Sequence, residues 1–209
     1  PGVTKAKKKK IIQKQLNIKI GFIQCQYKQI SNMQTPRLSR HALFAEPKPH
    51  PTARKRRPKF TPDDVLAVID TREQLPLELP LRSITDTLPT GDYSVSGFED
   101  LICVERKSLP DLVGCMTSGR VRFEKELQRM KAYDARCVVV EASWQQLRNG
   151  EYRSRITPDT ATHSVVSWIA RFAVPFLFVD NRESAADAVA YFLYTSTKKY
   201  HERLKRISE

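Results

Sequence analysis

Residues 88–111, LPTGDYSVSGFEDLICVERKSLPD, contain two short apolar segments on either side of a turn at Gly97. The segments Tyr93–Val95 and Leu101–Arg106 are predicted to be strands, because both are apolar and are bounded by turn residues. The connection between them is short, which indicates that the second strand folds back beside the first. This stretch therefore predicts a hairpin within a larger sheet.

Charged side chains cluster at one end of this hairpin. Successive side chains of a strand point to opposite faces, so Glu105 and Lys107 share one face and Arg106 projects from the other. The returning strand brings Asp92 within reach of Glu105 and Lys107. Asp70, at the end of an earlier apolar segment, approaches the same edge. Carboxylates are the ligands that Mg²⁺ prefers, and a lysine beside them can stabilise a negatively charged phosphate.

The same residues have a purely structural interpretation. Glu105 and Lys107 can form a solvated ion pair on an exposed strand, and Asp92 can simply end a turn. The tripeptide E-x-K is common, and on that tripeptide alone the structural interpretation is favoured.

The rest of the chain alternates between patterns of buried strands and of helices. The predicted order is a strand, a three-stranded meander, helices, a strand, helices, a strand and a helix, which is typical of a mixed α/β sheet flanked by helices. The predicted strands are Val65–Asp70, Leu81–Leu88, Tyr93–Val95, Leu101–Arg106, Arg136–Glu141 and Phe176–Val179. The first predicted helix begins at Ser108. The others cover Arg120–Tyr133, Ser143–Arg148, Thr160–Phe172 and Glu183–Lys199.

Three motifs resemble the nuclease domain of the XPF-type structure-specific endonuclease family. They are VIDTRE (Val68–Glu73), LPTGDY (Leu88–Tyr93) and VERKSLPD (Val104–Asp111), and they match the family signature G-D-Y, spacer, E-R-K-x-x-x-D. The segment SGRVRFEKEL (Ser118–Leu127) is similar to the Gly-Arg-led helix that follows in that family. The resemblance implies a restriction-endonuclease-like fold and hydrolysis of phosphodiester bonds with Mg²⁺ or Mn²⁺.

The resemblance also implies roles for single residues. Asp92 and Glu105 are similar to the metal-binding acids of the family, and Lys107 to its catalytic lysine. We expect Arg106 to anchor an acid or a phosphate from the opposite face. Asp111 falls in the first turn of a helix, where capping is an equal alternative. The predicted set is Asp70, Asp92, Glu105, Arg106, Lys107 and Asp111 for catalysis, Asp92 and Glu105 for the metal, and Arg72, Glu73 and Arg120 for DNA.

The charge of the chain changes near residue 60. Residues 1–60 contain 16 Lys+Arg and a single acid, Glu46, whereas residues 61–209 contain 20 Lys+Arg and 22 Asp+Glu. The first composition is typical of a basic, disordered arm, which attracts DNA by releasing counterions. A leader or an organelle-targeting segment is the alternative. We therefore predict an arm or leader at 1–60 and an XPF-type nuclease domain at 61–209.

The sequence argues against several other classes of site. Cys25, Cys103, Cys115 and Cys137 form no C-x-x-C pair, which argues against a zinc ribbon or a disulfide framework. The usual glycine-rich nucleotide-binding motifs are missing, and no apolar run reaches 18 residues, so we expect no ATPase site and no membrane partner. No glycine follows Gly150, so tandem helix-hairpin-helix modules are not expected.

The leading functional hypothesis is a metal-dependent endonuclease that cleaves branched or structured DNA in repair or recombination. Its expected location is inside the cell with the DNA, in the cytoplasm, nucleoid or nucleus. The alternatives are a non-catalytic DNA-binding subunit with the same fold and a restriction-type or RNA-directed nuclease. Intact Asp92, Glu105 and Lys107 argue against the non-catalytic subunit. A partner protein is one possible source of specificity for DNA structure.

The last predicted helix, Glu183–Lys199, is apolar around much of its circumference. Surface helices of small domains normally keep a polar face, so one side is expected either to lie in the core of the same chain or to contact a second subunit. In the resembled family the nuclease domains associate through their C-terminal helices. We therefore predict a homodimer whose contact includes Tyr191, Phe192 or Tyr194.

Overall fold

The computed structural model describes residues 60–208, which form a six-stranded mixed sheet with helices packed on it. The predicted α/β fold class is confirmed, while the predicted arm, apart from Phe60, lies outside the described residues. No helix in this range is long and apolar enough to cross a bilayer. The strands are β1 (Leu66–Asp70), β2 (Arg82–Asp86), β3 (Tyr93–Val95), β4 (Ile102–Ser108), β5 (Ala135–Glu141) and β6 (Phe176–Val179), and the helices are α1 (Leu109–Met116), α2 (Arg120–Met130), α3 (Trp144–Asn149), α4 (Pro158–Phe172) and α5 (Arg182–Ser208).

The strand order is β2-β1-β3-β4-β5-β6. β1 is parallel to β2 and antiparallel to β3, β3 is antiparallel to β4, and β4, β5 and β6 are mutually parallel. The predicted three-stranded meander is therefore wrong, because β2 pairs with β1 and not with β3. The physical reason is burial: β1 is apolar and takes a neighbour on both sides, whereas all five residues of β2 are exposed, which suits an edge strand.

The centre of the sheet is β4 and β5. Ile102–Val104 and Cys137–Val140 are completely buried, as the continuous apolar run of the fifth strand predicted. β6 was also predicted to be buried, but it is an edge strand in which only Phe176 is buried and Leu177 is 38% exposed. An apolar run of four residues does not distinguish a central strand from an edge strand.

Helices cover the sheet and contribute an aromatic core. Phe123 of α2 meets Trp168 of α4 edge to face at 5.0 Å, and Trp168 stacks on Phe176 of β6 at 6.2 Å. These rings belong to a buried cluster that includes Val138 and Val140. Because strand side chains alternate, Val139 points to the other face of β5.

The last helix, α5, packs on β3 to β6 with its small residues buried. Ala185, Val189, Ala190 and Leu193 are almost fully inaccessible, so this side of the helix lies in the core of its own chain. The helix runs to Ser208, nine residues beyond its predicted end. The extension is rich in charged residues, but Tyr200, Leu204 and Ile207 continue the helical spacing i, i+4 and i+7, a signal that the predicted end of the helix did not include.

Candidate active site

The ends of β1 and β4 and the turn before β3 meet at a cleft of about 380 Å³, and α2 forms its other wall. Four of the predicted catalytic residues, Asp70, Asp92, Glu105 and Lys107, line this cleft together with Arg72. The hairpin of β3 and β4 therefore brings the acids and the lysine together as the sequence predicted. The remaining lining residues are Pro89, Gly91, Cys115, Arg122, Phe123, Glu126 and Arg129.

Gly91 sets the course of the chain into the cleft. Its φ of +81° lies in the left-handed region, and a Cβ added there would come within 2.6 Å of the Cys103 sulfur and 2.9 Å of the Val104 carbonyl oxygen. The next amide, that of Asp92, donates to the Val104 carbonyl at 2.8 Å. The Asp92 carbonyl accepts from the Asp70 amide at 2.9 Å. The backbone of Asp92 is therefore bonded to both neighbouring strands.

Asp92, Glu105 and Lys107 line the cleft side by side. Oδ2 of Asp92 accepts a hydrogen bond from the Arg106 amide at 2.7 Å, which orients that carboxylate. Nζ of Lys107 donates to the Glu105 carboxylate and to the Arg106 carbonyl, and it lies 5.7 Å from the centre of the Phe123 ring. Glu105 is only 7% exposed.

Burial controls the charge of these groups. It raises the pKa of Glu105 to about 7; Lys107 opposes this change, and the negative charge of Asp92 adds to it. Burial also raises the pKa of Asp92, again against Lys107. For Lys107, burial acts to lower the pKa, but Glu105 and Asp92 outweigh it, so its pKa is raised and it stays protonated. Two desolvated acids beside one lysine favour the addition of positive charge.

The donor set fits a hard divalent cation. Asp92 and Glu105 lie on neighbouring segments, line the same cleft and offer oxygen ligands. Within residues 60–208, no group of three or more His, Cys, Asp and Glu side chains surrounds a common metal position. Mg²⁺ commonly binds through one or two carboxylates and completes its octahedron with water and substrate phosphate. A pair of acids is thus a sufficient protein contribution.

Arg106 projects to the opposite face, where it anchors acids as expected. Its guanidinium donates to Glu141 at 2.8 Å and to both carboxylate oxygens of Glu73, at 3.1 and 3.2 Å. Arg182 of α5 also donates to Glu141, at 3.4 Å. Burial acts to lower the pKa of Arg106, but Glu73 and Glu141 outweigh it and raise that pKa. Glu73, predicted to line the cleft and to contact DNA, is instead engaged by Arg106 behind it.

Asp70 lines the cleft, but its carboxylate is already occupied. It accepts from the Arg72 amide at 2.8 Å, from Nε and Nη2 of the same arginine at 2.6 and 3.0 Å, and from the Leu88 amide at 2.7 Å. Burial acts to raise the pKa of Asp70, but these donors outweigh it and hold that pKa below its usual value. Asp70 therefore holds Arg72 and the turn before β3, and its catalytic role stays a prediction.

Two further predicted residues lie outside the cleft. Asp111 accepts a hydrogen bond from the Ser108 hydroxyl at 2.6 Å, and its amide donates to the same hydroxyl at 3.2 Å, which is the capping arrangement. Arg120 was predicted to contact DNA, but it donates to Glu124 and Ser164, and its guanidinium lies 5.4 Å from the centre of the Trp168 ring. Arg120 joins α2 to α4.

Three residues of α2 in the cleft wall were missed by the sequence analysis. Arg122, Glu126 and Arg129 follow the spacing i, i+4 and i+7, so they form one stripe beside Phe123. Glu126 and Arg129 form an ion pair. The signal was the helical periodicity of the segment itself, which groups these three residues on one face.

Comparisons with known proteins agree with this fold. A family model described as the ERCC4 domain matches residues 69–192. The chain is 28% identical over 133 residues to a putative ATP-dependent RNA helicase of Methanocaldococcus jannaschii, covering 62% of this chain and 15% of that protein. It is 30% identical over 96 residues to DNA repair endonuclease UVH1 of Arabidopsis thaliana, covering 46% of this chain and 10% of that protein. The chain thus matches a small part of each of these relatives.

Solved structures share the fold. XPF from Aeropyrum pernix matches with a TM-score of 0.52 and 23% identity, over 63% of this chain and 61% of that one. A structure of the same protein in complex with DNA matches with a TM-score of 0.51 and 21% identity, over 65% of this chain and 66% of that one. At these identities the likeness concerns the arrangement of strands and helices.

Proposed function

The chain belongs to the ERCC4 domain family, and we propose that it is a divalent-metal-dependent endonuclease that hydrolyses phosphodiester bonds in branched or otherwise structured DNA. The observation that carries this proposal is the convergence of Asp92, Glu105 and Lys107 in one cleft. DNA as the substrate is supported by the similarity to a DNA repair endonuclease and by the fold shared with an XPF in complex with DNA. The proposed setting is DNA repair or recombination.

Asp92 and Glu105 are the residues that would hold Mg²⁺ or Mn²⁺. When bound there, the cation would polarise the phosphate and lower the pKa of a water molecule. The remaining steps belong to the side chains of the protein. The Arg106 amide keeps the Asp92 carboxylate in place, so the ligand does not reorganise when substrate arrives.

Lys107 is the group that can stabilise developing charge on the phosphate. It is protonated and lines the cleft, and the Phe123 ring limits the directions in which its ammonium group can move. A donor placed in advance at the reacting phosphate lowers the barrier because no reorganisation is needed at the moment of reaction. Arg72 adds a second positive charge to the cleft, fixed by its ion pair with Asp70.

The partners that we propose are DNA and a second copy of the chain. On α5, Tyr191 and Phe192 are half-buried, whereas Leu204 and Ile207 are 59% and 74% exposed. Burial of Ala185 and its neighbours within the chain leaves these larger side chains as the surface for a dimer contact. A partner protein that supplies specificity for DNA structure remains part of the proposal.

Cleavage assays with labelled flap, fork, splayed-arm, duplex and RNA substrates test the function. We expect cleavage of structured DNA with Mg²⁺ or Mn²⁺ and none after chelation with EDTA. Asp92→Asn and Lys107→Met should each lower the rate at least about 100-fold with an unchanged circular dichroism spectrum. Asp100→Asn, an exposed acid in a turn, is the matched control and should cleave normally.

Two results would contradict the proposal. Near-normal cleavage by Asp92→Asn would remove that residue from the metal site. Binding of DNA without cleavage, with every divalent metal and substrate, would instead favour the non-catalytic DNA-binding subunit.

A further inference from the structure

A second cavity of about 310 Å³ adjoins the cleft between α1 and α2. The two share Lys107, Cys115 and Arg122 as lining residues, so they form one continuous depression. Three charged residues line the second cavity, and they are Lys107, Arg122 and Asp111. Its remaining lining residues are Pro110, Gly114, Ser118 and Gly119.

Arg122 stands at the junction of the two cavities. It is exposed, and within residues 60–208 no acid forms an ion pair with it. The neighbouring arginines are engaged, because Arg72 is paired with Asp70 and Arg129 with Glu126. Asp111, the acid of the second cavity, accepts a hydrogen bond from Ser108. The positive charge of Arg122 is therefore available to a ligand.

The shape of the second cavity is open on the side of α1. Gly114 lines it, and a Cβ added to this glycine would meet no atom within 4 Å. A path lined by a lysine and by an arginine that no described acid pairs, with open space at Gly114, suits a backbone of successive phosphates. A phosphodiester chain that places one phosphate in the cleft must place the next ones beside it.

We propose that the cleaved DNA strand continues from the cleft into the second cavity, where Arg122 binds a phosphate adjacent to the one that is hydrolysed. This inference rests on the proposed function and deepens it, because it assigns a subsite for the substrate backbone. Arg122 contacts phosphate and carries no sequence information, so its contribution is the same for every DNA sequence.

The role of Arg122 is tested by measuring the affinity for fluorescent flap DNA by anisotropy. The assay contains Ca²⁺, which occupies oxygen sites and is expected to support little cleavage. Arg122→Ala should weaken binding about tenfold. It should also lower the slope of log affinity against log salt by about one, since one phosphate contact is lost. Arg148→Ala removes the same charge from an exposed position outside both cavities and should leave affinity and slope unchanged.

The path is tested separately by filling the cavity. Gly114→Glu and Gly114→Gln introduce side chains of the same size into open space on a helix, and both are better helix formers than glycine. We expect Gly114→Glu to bind flap DNA at least about fivefold more weakly than Gly114→Gln, because the carboxylate repels phosphate. Equal melting temperatures of the two variants would assign this difference to DNA binding.

The outcomes separate this inference from the proposed function. If the wild-type protein neither binds nor cleaves DNA, the proposed function and this inference fail together. If the wild-type protein cleaves DNA while Arg122→Ala and Gly114→Glu bind as tightly as their controls, the function stands and the second cavity is not on the path. Weaker binding by Arg122→Ala alone would also overturn the path, because the arginine would then act only at the mouth of the cleft.

Discussion

Gly91 is the single residue on which the geometry of the acids depends most directly. The left-handed conformation costs about 1 kcal/mol for a residue with a Cβ, and in this position the Cβ also meets the Cys103 sulfur and the Val104 carbonyl. Both of these atoms belong to β4, the strand that carries Glu105. A displaced turn would therefore move Asp92 away from its partner acid.

The first prediction follows from two glycines with the same conformation. Gly91→Ala should lower the free energy of unfolding by about 3 kcal/mol, from strain plus overpacking. Gly97 has a φ of +83° and open space around it, so Gly97→Ala should cost only about 1 kcal/mol. Urea denaturation of both variants isolates the crowding as the difference. Equal losses in the free energy of unfolding would mean that β4 moves aside for the added Cβ at no energetic cost.

Residue patterns predicted the positions of Asp92, Glu105, Arg106 and Lys107 well, but not those of Glu73 and Arg122. Alternation along one strand was enough to place Glu105 and Lys107 together and Arg106 behind them. Glu73 was predicted to line the cleft, and this prediction was wrong. Its closeness in sequence to Asp70 does not determine on which side of β4 the loop after β1 lies. The role of Arg122 depends on which stripe of α2 meets the cleft, and that is decided by packing between helices.

At the scale of elements, a buried ion network joins four parts of the fold. Arg106 of β4 contacts Glu73 in the loop after β1 and Glu141 at the end of β5, and Arg182 of α5 reaches the same Glu141. The side chains of Glu73, Arg106 and Glu141 are only 8% to 12% exposed. Removal of one partner from such a network leaves the others desolvated and incompletely paired.

The second prediction concerns this network and its dependence on pH. Burial acts to raise the pKa of Glu73, but Arg106 outweighs it and the pKa is lowered from 4.5. A lowered pKa in the folded state stabilises the protein above the unfolded value, and this stabilisation is lost as the pH falls through the folded value. Glu73→Gln should therefore cost about 2 kcal/mol at pH 7, and the difference from wild type should shrink below pH 4.5.

Guanidinium denaturation across this pH range measures the difference. Glu151→Gln changes an exposed carboxylate and should stay within about 0.5 kcal/mol of wild type at every pH. If Glu73→Gln lowered the free energy of unfolding equally at every pH, packing rather than charge would stabilise the network.

The elements themselves were mostly predictable, and their neighbours less so. Capping by Ser108 and Pro110 in the first turn located the start of α1, and the apolar run of residues 136–141 located β5. The pairing of β2 with β1 was not predictable, because a short polar strand has no pattern that selects its neighbour. β6 was misjudged for a different reason, because its apolar run of four residues fits a central strand as well as an edge strand.

At the scale of the whole molecule, the third prediction concerns the basic arm. Deletion of residues 1–59 keeps Phe60, whose ring stacks with Tyr194 at 5.6 Å. The deleted segment contains 16 Lys+Arg, so the truncated protein should bind all DNA sequences more weakly and with a flatter dependence on salt. Cleavage at saturating DNA should persist, because every proposed catalytic residue follows the deletion. An unchanged salt slope would identify the segment as a leader.

The fourth prediction is the homodimer. Sedimentation at micromolar concentration should show a particle of twice the 24.0 kDa chain mass. Phe192→Glu should convert it to a monomer, because a charge at the contact is not paired across the two-fold axis. Glu183→Gln, in the first turn of the same helix, is the control and should remain dimeric. A wild-type monomer at this concentration would reject the dimer.

The bond between Arg182 and the loop after β1 sets an order of events during synthesis. Its guanidinium donates at 2.7 Å to the carbonyls of Leu75 and Pro76, which precede it by more than one hundred positions. A chain that emerges from the ribosome in order can pair β1 to β4 early, since those contacts are local. The loop that carries Glu73 can bond to Arg106 and Tyr93 once β3 and β4 have been made, but its bonds from Arg182 form only after residue 182 has been made. The nascent protein therefore passes through a stage in which its sheet has begun and this loop still lacks its anchor to α5.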